Sequence, residues 1–167
     1  MLERQINFIR QQGFARPSAQ TCAIQYPALQ FQPRVTGMIA LVGVILQSPL
    51  ILLALSAVLW WSALLPKRNP FESAYNHLIA ARRSLPLLAP APAPRRFAQG
   101  LAGTMMLIIA VSLVTGRHVL AAALAAFLFA AIAAILFGGF CFGSFVFHLL
   151  TGNAEFAKRT LPWGRGA

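Results

Sequence analysis

Residues 97–136, FAQGLAGTMMLIIAVSLVTGRHVLAAALAAFLFAAIAAIL, form a run with one charged side chain, Arg117, and no feature limits the fold more. Thr115-Gly116-Arg117-His118 divides the run into two apolar halves. Each half holds about 19 residues, and at ~1.5 Å per residue such a helix matches the ~30 Å hydrocarbon core of a bilayer. The run reads as a membrane hairpin. Composition agrees: 58% of the 167 residues are hydrophobic and 10% are charged, far from the balance of a soluble domain.

The net charge of +11, from 14 Lys and Arg against 3 Asp and Glu, would suggest nucleic acid if it formed one face of a soluble fold. Its placement argues otherwise. Arg4, Arg10, Arg16 and Arg34 precede the first apolar segment. Lys67, Arg68, Arg82, Arg83, Arg95 and Arg96 lie between the apolar pairs, and Lys158, Arg159 and Arg165 follow the last. By the positive-inside rule both termini and the central loop are cytoplasmic, so the number of crossings is even. The expected location is a bacterial inner membrane, the expected surface partner is its anionic lipid, and nucleic acid is not expected. No short apolar core followed by a small-residue cleavage site is seen, so the membrane helices themselves are expected to direct insertion.

The expected architecture is an all-α membrane protein with four transmembrane helices, arranged as two parallel hairpin repeats with short interfacial helices. Residues 1–33 form a cytoplasmic segment. In it Leu2, Ile6 and Ile9 oppose Arg4, as in either a surface helix or a frayed tail, while Pro17, Pro27 and Pro33 predict irregular backbone over 15–33. Residues 34–65 form the first hairpin, broken at Gln47-Ser48-Pro49 with Pro49 opening the returning helix. Its arms rise only ~21 and ~24 Å, so it either crosses with bilayer thinning or re-enters. Trp60 and Trp61 favour crossing, as interfacial anchors.

Residues 66–96 form a basic, proline-rich cytoplasmic loop. A surface helix is predicted over 71–83, with Phe71, Tyr75 and Leu78 on one face and Glu72, Asn76 and Arg83 on another. Pro86, Pro90, Pro92 and Pro94 then make a stiff spacer. Residues 97–150 are the second hairpin with an apolar extension past Gly138-Gly139, and 151–167 are a basic, mobile tail. The two units look related: FESAYNHL at 71–78 aligns on FGSFVFHL at 142–149 without gaps, each after its own hairpin.

Candidate sites are few. Ala122, Ala126, Ala130, Ala134 and Gly138 recur every fourth residue, a stripe without bulk that suits close helix packing. Cys141 reads either as an inert small hydrophobe among Phe and Gly or as a redox thiol at a helix start. His77 and His148 hold equivalent repeat positions and read either as interfacial histidines or as paired ligands of a haem or pigment. No metal site has its full ligand set, and no cofactor is predicted. The segments expected to cross hold no Asp, Glu, Lys or His away from their ends, which disfavours an ion-coupled carrier. The expected role is therefore a non-enzymatic accessory or assembly subunit of a larger membrane complex. A thiol component using Cys141 and small-solute permeation are the alternatives.

Pro94-Arg95-Arg96-Phe97-Ala98-Gln99, Asn69-Pro70-Phe71 and Gly139-Phe140-Cys141-Phe142-Gly143-Ser144 resemble a bacterial membrane family catalogued as domain of unknown function 4395, over roughly residues 31–151. The resemblance implies two short hairpins joined by a basic, proline-bearing loop. It also implies a last motif, Gly-Phe-Cys-x-Gly-Cys, in which Cys141 matches the first cysteine and Ser144 replaces the second. That replacement removes the local dithiol, so the disulfide exchange suggested by the family motif would require Cys22 as a substitute.

Overall fold

The computed structural model describes residues 2–161. Arg165 of the basic tail lies outside them. Among the described residues every regular element is helical: α1 (Leu2–Gln11), α2 (Ala19–Ile45), α3 (Pro49–Leu64), α4 (Pro70–Tyr75), α5 (Ala93–Val114), α6 (His118–Ala133), α7 (Phe142–Leu150) and α8 (Ala154–Arg159), with short 3-10 and π turns between some of them. Three helices are long and apolar enough to cross a membrane: α2, α5, and α6 with its π extension to Gly138. The shorter apolar helix α3 pairs with them. The chain is an all-α membrane protein.

The two hairpin turns fall where the sequence places them. Pro49 opens α3, and α5 ends at Val114 before His118 begins α6. The first arm, however, is much longer than expected. Helix α2 begins at Ala19, with the Ser18 hydroxyl accepting the Thr21 amide at 3.2 Å, and continues through Pro27 and Pro33. Proline removes one helix donor and leaves the carbonyl four residues earlier without its partner. For Pro33 that carbonyl belongs to Leu29, and the Arg95 guanidinium donates to it at 3.4 Å. A tertiary contact thus supplies what the local sequence withholds, and the irregular backbone expected over 15–33 gives way to helix from Ala19.

The amino-terminal segment is the helix α1, with Ile6, Phe8 and Ile9 buried against α2. The expected surface helix at 71–83 is three pieces: α4, a π turn at Asn76–Ala80 and a 3-10 turn at Ala81–Arg83. Of the three residues expected to share a face, Phe71 and Tyr75 are buried, but Leu78 is exposed, because the wider π turn moves it off the α-helical face. The spacer then runs without helix to Pro92, pinned by the Asn76 side chain to both backbone groups of Leu88, at 2.8 and 3.3 Å. The tail also departs from expectation. Helix α8 places the Phe156 ring 4.7 Å from His148 and buries Ala157.

The main core lies where α2, α3, α5 and α6 converge on Leu52, Leu59, Met106, Ile109 and Leu128. Helices α3 and α5 make the most extensive pairing. Gly103 permits it: the Ser56 hydroxyl donates to the Gly103 carbonyl at 2.7 Å, and a Cβ there would stand 3.2 Å from the Ser56 carbonyl oxygen. At the far end of α6 the backbone turns left-handed at Gly139, φ 61°, which stops the helix and lets α7 start afresh at Phe142.

Candidate functional site

The polar groups gather at the end of the bundle where α1, α2, α4, α5 and α7 meet. Arg95, in the first turn of α5, is 4% exposed. Its Nη1 donates to the Gln12 side-chain oxygen at 2.7 Å and its Nη2 to that of Gln32 at 3.1 Å. Gln32 also accepts from Gln99 at 2.8 Å. The Nε lies 3.5 Å from a carboxylate oxygen of Glu72, too long for a good hydrogen bond but close enough for an ion pair. Glu72 is held there by Asn69, whose side-chain oxygen accepts the amides of Phe71 and Glu72 and so fixes the start of α4.

Burial pushes the Glu72 carboxyl above its ordinary range even though the Arg95 charge pulls it down. The pair is therefore a costly one to bury. This one guanidinium joins α5 to α2, to α4 and to the end of α1, and the Gln99–Gln32 bond adds a second link between α5 and α2. Sequence reasoning misses this pair, because it counts Arg95 among the loop cations and sets Glu72 on the helix face away from Phe71 and Tyr75. One signal was available: Glu72 is one of only three carboxylates in the chain, and it lies next to the apolar Phe71 of a short helix.

Gln11 does a similar job for α7. Its side-chain oxygen accepts the Cys141 amide at 2.8 Å at the helix start, and its backbone carbonyl lies 2.9 Å from the His148 Nε2, which must carry the proton to donate to it. On α2, the Gln30 amide donates to the Ile135 and Leu136 carbonyls in the π turn that ends α6, at 3.4 and 3.3 Å.

Cys141 occupies the N-cap of α7, is buried, and receives the Ser144 hydroxyl on its sulfur at 3.4 Å. It shares an apolar cluster with Cys22, Ile6, Phe8, Ile9 and Leu29, and both cysteines are free thiols. It also lines a cavity of about 80 Å³, together with Gln32, Thr36, Gln99, Met106 and Leu128. The Thr36 hydroxyl and the Gln99 side-chain oxygen are buried without a protein partner. A dry cavity of ~150 Å³ holds benzene, so this smaller one has room for water or a very small molecule.

The two histidines occupy different settings. His77 is exposed beside the proline-rich spacer, whereas His148 is buried between Phe147 and Phe156. Among the described residues no three His, Cys, Asp or Glu side chains gather in a way that could hold a metal ion. Of the small-residue stripe, Ala122, Ala126 and Ala130 are exposed, Ala134 and Gly138 are half-buried, and a Cβ at Gly138 would have nothing within 4 Å. The bundle instead takes the neighbouring stripe of α6, Ala121, Ala125 and Leu128.

Residues 24–151 match the model of the family described as Domain of unknown function (DUF4395). No curated protein and no solved structure matches the chain. The match covers most of the chain, which belongs to this family.

Proposed function

We propose that this member of the DUF4395 family is a multi-pass subunit of the bacterial inner membrane, with both termini cytoplasmic, that works by packing against a larger membrane complex and carries out no chemistry of its own. The observation behind this reading is the outward stripe of α6. Ala122, Ala126 and Ala130 face away from their own bundle, and the stripe itself carries nothing larger than a methyl group down to Gly138, with the exposed Phe127 and Phe137 beside it. Such a surface gives lipid chains little to pack on and allows another helix backbone to approach closely. The buried Arg95 network fits the same role, since its donors are already committed to protein acceptors that hold the scaffold together.

Purification from native membranes in mild detergent should yield reproducible companion proteins. Ala126→Leu and Ala130→Leu should strip them away while leaving the melting temperature of the isolated chain unchanged. A lone monomer or homo-oligomer, recovered alike from wild type and variants, would refute the packing role.

The contact between Ser144 and Cys141 favours a second reading, a thiol component. A hydroxyl on the sulfur and a helix amino terminus at the same residue are groups that support sulfur chemistry. Trapping of cellular thiols with an alkylating reagent tests it. Cys141 should shift between reduced and oxidised forms when the cells are challenged with oxidant, and Cys22 should not. A Cys141 that stays reduced throughout removes this reading.

A further inference from the structure

A second concavity lies on the outer flank of the bundle, between α3 and α5. It is a groove of about 400 Å³ lined by Trp60, Ala63, Arg96, Gly100, Leu101 and Thr104 among others. Its floor lacks bulk at Ala63 and Gly100, and a Cβ built on Gly100 would stand 3.8 Å from both the Trp60 ring and the Ala63 methyl. Its only charge is Arg96, and no carboxylate lines it.

Arg96 is held in place. Its Nε donates at 2.7 Å to the carbonyl of Ala63, in the last turn of α3, where helix carbonyls lack intrahelical partners. Among the described residues this is its only side-chain hydrogen bond, and no carboxylate pairs with it. The terminal nitrogens of the guanidinium therefore remain available to an acceptor that the described residues do not supply.

The level of the groove in the membrane follows from its neighbours. Trp60 and Trp61 are exposed at this end of α3, and the Trp61 indole donates to the Arg68 carbonyl at 3.1 Å. Lys67 and Arg68 are exposed just beyond. Tryptophan and basic residues together mark the boundary between acyl chains and headgroups.

We infer that this groove binds an anionic phospholipid, with its phosphate on Arg96 and an acyl chain laid over Gly100 and Leu101 beside the Trp60 ring. A cation fixed at headgroup height above an apolar channel is complementary to such a lipid in both charge and shape. Lys67 and Arg68 add attraction for a headgroup with net negative charge.

The test is native mass spectrometry of the full chain, released from nanodiscs containing equal phosphatidylglycerol and phosphatidylcholine. Wild type should retain phosphatidylglycerol preferentially. Arg96→Gln should weaken that retention about fivefold, the factor that corresponds to roughly 1 kcal/mol for one basic residue at a lipid surface. Arg96→Lys should keep part of the preference, because it keeps the charge but loses the planar fork. Gly100→Val should lower retention of both lipids by filling the channel, and it reports on the groove even if Arg96→Gln fails to fold. Glycerol phosphate, which has the headgroup chemistry without acyl chains, should not compete. Equal retention of the two lipids by wild type, an unchanged preference in Arg96→Gln, unchanged retention in Gly100→Val, or effective competition by glycerol phosphate would each overturn the assignment.

Discussion

Arg95 and Arg96 are neighbours in sequence with opposite surroundings. Arg95 points into the bundle and meets Glu72, Gln12, Gln32 and the Leu29 carbonyl, while Arg96 lies on the flank with one backbone acceptor and an open groove. Helix α6 repeats the contrast without charge: Ala125 is 3% exposed in the core and Ala126 faces outward. One residue is a step of about 100° around a helix, enough to move a side chain from interior to exterior. Identical residues on adjacent positions therefore serve different purposes, the inner one holding the fold and the outer one meeting whatever surrounds it.

Substitutions at each pair sharpen or break that contrast. The largest effect is expected for Arg95→Ala, which leaves the buried Glu72 carboxylate without its counter-charge and the Leu29 carbonyl without a donor. The loss should be about 3–5 kcal/mol in detergent unfolding, the range for breaking a buried pair from one side. A loss under about 1 kcal/mol would mean that the network is not a structural link. Ala125→Leu comes next, at about 1–3 kcal/mol, because it forces three extra carbons into a packed interior.

Glu72→Gln tests the pair from the acid side, and here the sign depends on pH. The folded-state carboxyl is raised, so the fold holds this proton more tightly than the unfolded chain does. The contribution of Glu72 to stability therefore improves as pH falls through its raised folded value toward the ordinary 4.5. The stability of wild type relative to Glu72→Gln should rise steadily as the pH falls over that interval, followed by thermal unfolding at a series of pH values. A relative stability that falls on acidification would contradict the burial argument. The smallest effect is expected for Ala126→Leu, within about 0.5 kcal/mol of wild type, as for a surface position.

The contrast also marks what the sequence could disclose. Hydropathy and turn residues locate the long apolar helices and the turns after α2 and α5 well, because the bilayer core demands such helices and Pro49 and Thr115-Gly116 mark where one ends and the next begins. The same method fails at residues 19–33. There helix persists through two prolines, and the interaction that completes the Leu29 carbonyl comes from Arg95, 66 positions away. The polar cluster was hidden for a related reason. A cation that precedes an apolar run looks like a topology signal whether or not a buried carboxylate waits for it, and Gln12 and Gln32 are inconspicuous until α1 and α2 fold against α5. Cys141 was visible by its motif, but its contacts with Gln11 and Ser144 and its place beside a cavity were not. On α6 the sequence displayed two alanine stripes one residue apart. Without knowing which one α2 and α5 occupy, no periodicity argument can tell them apart.

The proposed role depends most directly on what touches the outward stripe in the native membrane. A photo-crosslinking amino acid placed at Ala126, with a second placed at the exposed Val111 of α5 as a reference, reads that contact in intact cells. The packing role predicts a discrete adduct with a different protein from position 126 and none from position 111. Lipid adducts alone at both positions, or the same diffuse pattern from each, would contradict it.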